Sequence, residues 1–451
     1  MEKTGLAIEA ALLFDYQSGL RTFLYIEKRM IRIILYILLG ILTSFYLFPV
    51  GLTILPDAFN TKMVLALVGG LLFGYNSLQE RGISVQMGLL GAVGIALFFS
   101  IVCYIATDLN NTADYAYVTY LGSMFTWLGG AYMVCMAIKG LHGRCNFRVL
   151  TNYLAAVCFV QCGLALLIDN HEGFQLLVDS YVQQGQAFYE DKDRLYGIGA
   201  ALDTAGVRFS IVLLMISALL CHDEQVRKST SAIVALLLVF FTVALVGNMI
   251  SRTTIIGLAG GMLYAILFSG LFRFEIRFSA LKLGIWATIT LVLVVAIGTF
   301  LYRTNDDFYG HIRFAFEGFF NLVETGEWRT GSTDKLNNEM WIWPEDTKTW
   351  IIGSGIFGSF VYATDIGYCR FILYCGLVGF SIFSLFFVYN GLFFMNRSGK
   401  YATMFVVLIV MSFIFWVKIA TDIFLIYALF YCVDEFVSSG NNDDGLLMIN
   451  D

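Results

Sequence analysis

The chain has 451 residues, of which 58% are apolar and only 14% are charged, with a formal net charge of -6. Soluble domains run nearer to about 45–50% apolar and about 25% charged, so one or two water-soluble cores of this composition would carry a greasy surface. The negative balance and the lack of any basic stripe exclude nucleic-acid binding as a default. Apolar runs of roughly 18–22 residues, the length that crosses a bilayer as a helix, recur between short polar stretches. The composition predicts an all-α polytopic membrane protein.

Residues 1–29 are weakly amphipathic, interrupted by Glu9 and Asp15, and Met30 is a candidate start; segment 1–30 is expected in the cytoplasm. The first strong run, Ile31 to Gly51, follows Glu27-Lys28-Arg29-Met30-Ile31-Arg32. Basic residues on its N-terminal side set that end inside, and no small-residue cleavage site follows, so the run reads as an uncleaved span. The next runs are roughly 61–77, 85–106, 117–138, 149–169, 207–221, 231–250, 254–272 and 283–302. After a long polar stretch come 366–395, 402–419 and 421–436, with Lys418 and Asp422 at the turn between the last two, four residues apart and able to pair across one helical turn. The total is about twelve crossings, with both termini and tail 437–451 inside. Cytoplasmic connections then carry Arg81; Lys139, Arg144 and Arg148; Arg227 and Lys228; Arg273, Arg277 and Lys282; Arg397 and Lys400.

Two outer segments exceed ordinary connections, 170–206 and 303–365. The second, before the tenth span, has 63 residues with ten Asp/Glu against five Lys/Arg, and holds Trp328, Trp341, Trp343 and Trp350, four of the seven tryptophans. Ile312, Phe316, Phe319, Phe320 and Val323 recur there at helical spacing, which predicts a helix on the membrane surface. The tryptophans suit interface anchoring, and they also offer flat faces to sugar rings. The nine cysteines sit mostly in apolar runs, with no disulfide framework and no metal-ligand cluster; Cys158 and Cys162, one turn apart, read as packing. Asp306-Asp307 alone is weak support for a divalent metal, and no cofactor is expected. Gly353-Ser354-Gly355 follows no strand, so no nucleotide fingerprint is supported.

Cations on the outer side oppose the usual bias. Arg194, Arg208, Arg252 and Arg370 come from different parts of the chain and all thread to the outer interface. One such arginine can simply snorkel to headgroups. Four at one level suit a pyrophosphate, since guanidinium keeps its charge and grips phosphate oxygens through a planar fork. Donors of that kind stabilise charge developing on a leaving phosphate. A transfer reaction also needs a base for the incoming hydroxyl. Asp365, closing the long loop, is the candidate, with helix N-capping by Thr364 or Asp365 as the structural alternative. His311 is the one histidine of the long loop.

Four stretches together resemble the polytopic polymerase/ligase superfamily of bacterial surface polysaccharides, and most of all the Wzy-type O-antigen or capsule polymerases. They are Arg194 to Phe209; Ser251-Arg252-Thr253; Gly331-Ser332-Thr333 through Met340, Pro344 and Gly353-Ser354-Gly355; and Thr364-Asp365-Ile366-Gly367-Tyr368-Cys369-Arg370 followed by Gly376-Leu377-Val378-Gly379. The resemblance spans residue 31 to about 436. It implies a GT-C-like, metal-independent, inverting glycosyltransferase in the bacterial inner membrane, moving a nascent glycan from undecaprenyl pyrophosphate onto a second lipid-linked repeat unit, with a chain-length regulator as an open partner. It further implies pyrophosphate contacts from Arg252 and, less closely matched, Arg194 and Arg329. Arg208, Arg370, Tyr368 and His311 complete the candidate substrate-binding set. Related ligases carry a histidine where this chain has Asp365, a departure that favours polymerase over ligase. The rival readings are an O-antigen ligase acting on lipid A-core and a lipid-oligosaccharide flippase.

Overall fold

The computed structural model describes residues 29–54, 56, 59–183, 194–270, 278–358, 361–438 and 447–449. The amphipathic N-terminal segment with Glu9 and Asp15, and the cations Arg273 and Arg277, lie outside the described residues. Helices make up 78% of the structure. In chain order they are α1 (Arg29–Leu47), α2 (Thr61–Glu80), α3 (Met87–Leu109), α4 (Tyr120–His142), α5 (Phe147–Asn170), α6 (Glu172–Tyr181), α7 (Leu202–His222), α8 (Glu224–Lys228), α9 (Thr230–Ile250) and α10 (Thr254–Phe268). There follow α11 (Phe278–Thr304), α12 (Asp306–Ala315), α13 (Glu317–Thr325), α14 (Gly331–Glu339), α15 (Thr347–Ile351), α16 (Gly367–Arg397), α17 (Ala402–Phe415), α18 (Phe424–Tyr431) and α19 (Asp434–Ser438). Two short antiparallel pairs, Gly51–Leu52 with Val182–Gln183 and Ile83–Val85 with Leu447–Ile449, tie loops together.

Among the described residues, nine helices are long and apolar enough to cross a membrane: α1 to α5, α7, α9, α11 and α16. This is a polytopic membrane protein built of helices. The shorter apolar helices α10, α17 and α18 occupy the places of the other three predicted runs. The last predicted run, 421–436, is shortest in fact: α18 has 8 residues, and residues 416–423 ahead of it are not helical. Lys418 and Asp422 therefore do not share a helical turn, and Lys418 instead pairs with Asp203 at 3.0 Å.

Helix α7 is the centre of the bundle, with 89% of its apolar window buried, whereas α2 and α11 bury 11% and 17% and turn their leucines, isoleucines and valines outward. In a bilayer such faces meet lipid at no cost, so helices associate through close packing of small residues. Gly257 and Gly261 on α10, four apart, lie against Ser210 and Ser217 of α7; a Cβ on Gly257 would sit 2.2 Å from the Ser210 Cα. Gly69 of α2 packs as closely on the Gly129 carbonyl of α4. The first of these contacts fixes the α9–α10 turn, which carries Arg252, over the start of α7.

Helix α16 is broken at Gly376, whose φ of 64° and ψ of -177° no side-chain-bearing residue adopts readily. The break frees the carbonyls of Leu373 and Tyr374. The glycine-rich turn after α15 takes them up: Ser354 N donates to Leu373 O at 2.7 Å and Gly355 N to Tyr374 O at 3.0 Å. The glycines noted in the sequence thus serve backbone packing.

Candidate functional site

Where the hydrophobic spacing of the long loop predicted one helix there are two, α12 and α13. Phe316 (φ -115°, ψ 25°) separates α12 from α13. Asn305 caps α12 by accepting from Phe308 N, and Asp306 and Asp307 fill its first turn, where the helix dipole favours carboxylates. That accounts for the acidic pair without a metal.

The C-terminal end of α12 presents free carbonyls, and cationic or amide donors meet them. Arg252 Nε donates to Phe314 O at 2.9 Å, and Asn248 Nδ2 to Ala315 O at 2.7 Å. The rest of the Arg252 fork is also engaged: Nη1 donates to Ser332 Oγ at 2.9 Å, and Nη2 meets the Glu317 carboxylate at 2.6 Å. Glu317 in turn accepts from Gly331 N. Burial pulls the Arg252 guanidinium below its ordinary range, Glu317 opposes this, and the neighbouring Arg194 charge adds to the lowering. Its charge persists nonetheless.

Arg194 and Arg252 lean on the same ring. The guanidinium carbons lie 5.1 Å and 4.0 Å from the centroid of Phe314. Arg194 Nε is buried and has no hydrogen-bond partner among the described residues. Two guanidinium groups held this near each other repel unless an anion lies between or beside them. Glu317 is one such anion, and Asp203 is another in electrostatic reach of Arg252.

Asp203, in the first turn of α7, organises the turn below. Its Oδ1 accepts from Ser251 Oγ at 2.8 Å and Thr253 Oγ1 at 2.7 Å, and pairs with Lys418 Nζ at 3.0 Å. Asp203→Ala is expected to cost about 2 kcal/mol of stability through the unpaired lysine and hydroxyls. A thermal unfolding curve in detergent checks this, and Asp203→Asn, which keeps an acceptor oxygen, should lose less.

The other predicted residues occupy separate places. Arg208 lies 5.8 Å over the Phe48 ring; Asp422 is in electrostatic reach of it and of Lys62, which sits over Trp127. Arg370 donates from Nη2 to Phe357 O at 2.8 Å and covers the Phe357 ring at 3.9 Å, beside a small cavity that includes Tyr362 and Thr364. Asp114 accepts from Phe357 N and Gly358 N, so Arg370 belongs with this turn. The expected convergence of four arginines is therefore met by two, Arg194 and Arg252, because the loop helix reaches the α9–α10 turn and not the start of α16.

Tyr368 donates to Phe413 O at 2.9 Å and packs edge-on against Trp416. His311 is buried, its Nε2 3.1 Å from an Asp169 carboxylate oxygen at the end of α5. It anchors α12. Asp365 is exposed, and α16 begins without a side-chain cap: Thr364 Oγ1 accepts from Ile366 N ahead of the helix, so neither residue fills the predicted capping role. Arg329 is 61% exposed and pairs with Asp334 and Glu327. Arg329→Ala is expected to leave the unfolding curve unchanged, since such surface pairs contribute little; a melting curve in detergent checks it. Glu317, Asp203, Phe314 and Ser332 complete the site; Ser332 and Asp203 lay within noted stretches, though neither was singled out, and Glu317 and Phe314 lay in none.

No protein-family model matches the chain, and no curated protein matches it.

Proposed function

We propose that this chain is a GT-C-like membrane glycosyltransferase of twelve crossings that joins lipid-pyrophosphate-linked repeat units at the periplasmic face of a bacterial inner membrane. The observation that carries the reading is the Arg194–Arg252 pair across Phe314, with a loop carboxylate, Glu317, where an anionic ligand would compete. In this reading the donor pyrophosphate displaces Glu317 from Arg252 Nη2 and takes the buried Nε of Arg194, unpartnered among the described residues, as its second donor. The bond from the sugar's anomeric carbon to the pyrophosphate oxygen breaks as the acceptor hydroxyl oxygen bonds to that carbon. The hydroxyl proton passes to solvent, because Asp365, the base candidate of the sequence, sits beside Arg370 and apart from the pair, and undecaprenyl pyrophosphate leaves with its charge held by the two arginines.

The experiment is an assay of the purified chain with two lipid-linked repeat units in vesicles. Elongation with release of undecaprenyl pyrophosphate supports the reading. A second reading, a lipid-oligosaccharide carrier, is favoured by the breaks at Gly376 and at 416–423, because discontinuous helices carry ligand sites in transporters. Movement of the lipid across the vesicle without a new linkage would decide for it.

A further inference from the structure

At the end of the bundle opposite Arg252, α5 and α9 diverge around a cavity of about 440 Å³. Two polar residues of α5, Arg148 and Asn152, one turn apart, line one end of it. Arg148 makes its hydrogen bonds, to Asp223 Oδ1 and Gln225 Oε1, from Nη1 alone. Nη2 and Nε donate to no group among the described residues. Asn152 is exposed on a helix long enough to span the membrane and has no hydrogen-bond partner among the described residues. Asn152 lies in the second turn of α5, one turn from Arg148, so its exposed amide is placed to meet a lipid headgroup or ester oxygen.

The rest of the cavity changes character. Ala155 and Ala156 continue the α5 wall, and Ala232, Ala235, Leu236 and Val239 form the α9 wall. Their spacing of three, four and seven puts them on one helical face, and the alanines leave a trough where larger side chains would close it. The polar end is also cationic. The Asp223 carboxylate is shared by Arg148 at 3.3 Å and Lys400 at 3.6 Å, which leaves one positive charge unmatched. Arg227 and Lys228 follow on α8, Lys228 paired with Glu224 at 3.5 Å, and Lys282 donates to Lys228 O, so cations still outnumber carboxylates here.

We propose that this cavity is a binding site for one phospholipid with an anionic headgroup. Its phosphate oxygens accept from the open edge of Arg148, an ester or glycerol oxygen accepts from Asn152, and one acyl chain lies in the alanine trough. Donors at one end and an apolar slot beyond them match an amphiphile, and the excess of cations selects an anion. This site is independent of the glycosyltransferase reading.

The test is mass spectrometry of the intact full chain released from detergent, with dioleoyl phosphatidylglycerol or dioleoyl phosphatidylcholine added. One phosphatidylglycerol is expected to persist about fivefold more than phosphatidylcholine, the preference one surface cation supplies. Ala235→Phe, and Ala156→Phe from the opposite wall, fill the trough from exposed positions, and Asn152→Leu removes the amide. Each should reduce phosphatidylglycerol retention to the phosphatidylcholine level while the melting temperature without added lipid stays unchanged. Retention at the wild-type level in all three variants overturns the proposal. So does protection by inorganic phosphate equal to that by phosphatidylglycerol, since the guanidinium would then be a site for soluble anions.

Discussion

On the proposed glycosyltransferase reading, Arg252→Ala is expected to leave the protein in the membrane and to reduce polymerisation by about two to three orders of magnitude, the usual loss when one preorganised donor to a developing charge is removed. In cells, single repeat units on the acceptor should replace the long-chain ladder. Lysine at this position should restore little. The guanidinium reaches Phe314 O, Ser332 Oγ and Glu317 from three nitrogens, and a single ammonium cannot span that fork. Because these same contacts hold the long loop, Glu317→Gln separates the two roles. It weakens the latch and keeps the cation, so it should retain most of the polymer if Arg252 serves the substrate. If Glu317→Gln fails as badly as Arg252→Ala, the arginine is a loop clasp and the pyrophosphate role is lost. A normal ladder in Arg252→Ala would end it outright.

Gly376→Ala is expected to destabilise the fold by about 3 kcal/mol or more, enough to deplete folded protein in detergent. Two effects add. The backbone holds φ at 64° with ψ at -177°, and a Cβ there would lie 2.2 Å from Ile351 O and 2.3 Å from its carbonyl carbon. Neither neighbour is the tip of a flexible side chain, so the strain has no local outlet. Gly353→Ala meets the same obstacle from the other side, at φ 93° and 2.2 Å from Tyr374 O. Gly298→Ala on α11, with nothing within 4 Å, is the control and should be neutral or slightly stabilising. Melting temperatures by size-exclusion fluorescence order the three, and equal values would remove the break in α16 as a required feature.

The glycines show how far a sequence can be read. Gly353, Gly355 and Gly376 stood out in the residue order, but nothing local says that one turn supplies the donors for carbonyls freed in another helix. The apolar spacing from Ile312 to Val323 predicted a helix there, and the stretch is helical as α12 and α13. The break at Phe316 was not visible, because both sides keep the same apolar period. The candidate site divided in the same way. Arg252 and Arg194 were legible as cations on an unexpected face. Glu317, Asp203 and Phe314 were not, since a carboxylate in an acidic loop and a phenylalanine in an apolar stretch carry no signal of their own.

What the residue order determined by itself was the class of protein, the succession of apolar runs and the position of the long tryptophan-bearing loop. Hydropathy and charge are properties of a stretch of chain and need no partner to be evaluated. Only the tertiary structure decided which arginines meet, that Lys418 answers Asp203 and not Asp422, and that Arg370 belongs to the Phe357 turn. Those pairings join segments far apart in sequence. In a bilayer they are selected by close packing of small residues and by the need to partner each polar group, both of which depend on where the neighbouring helix lies.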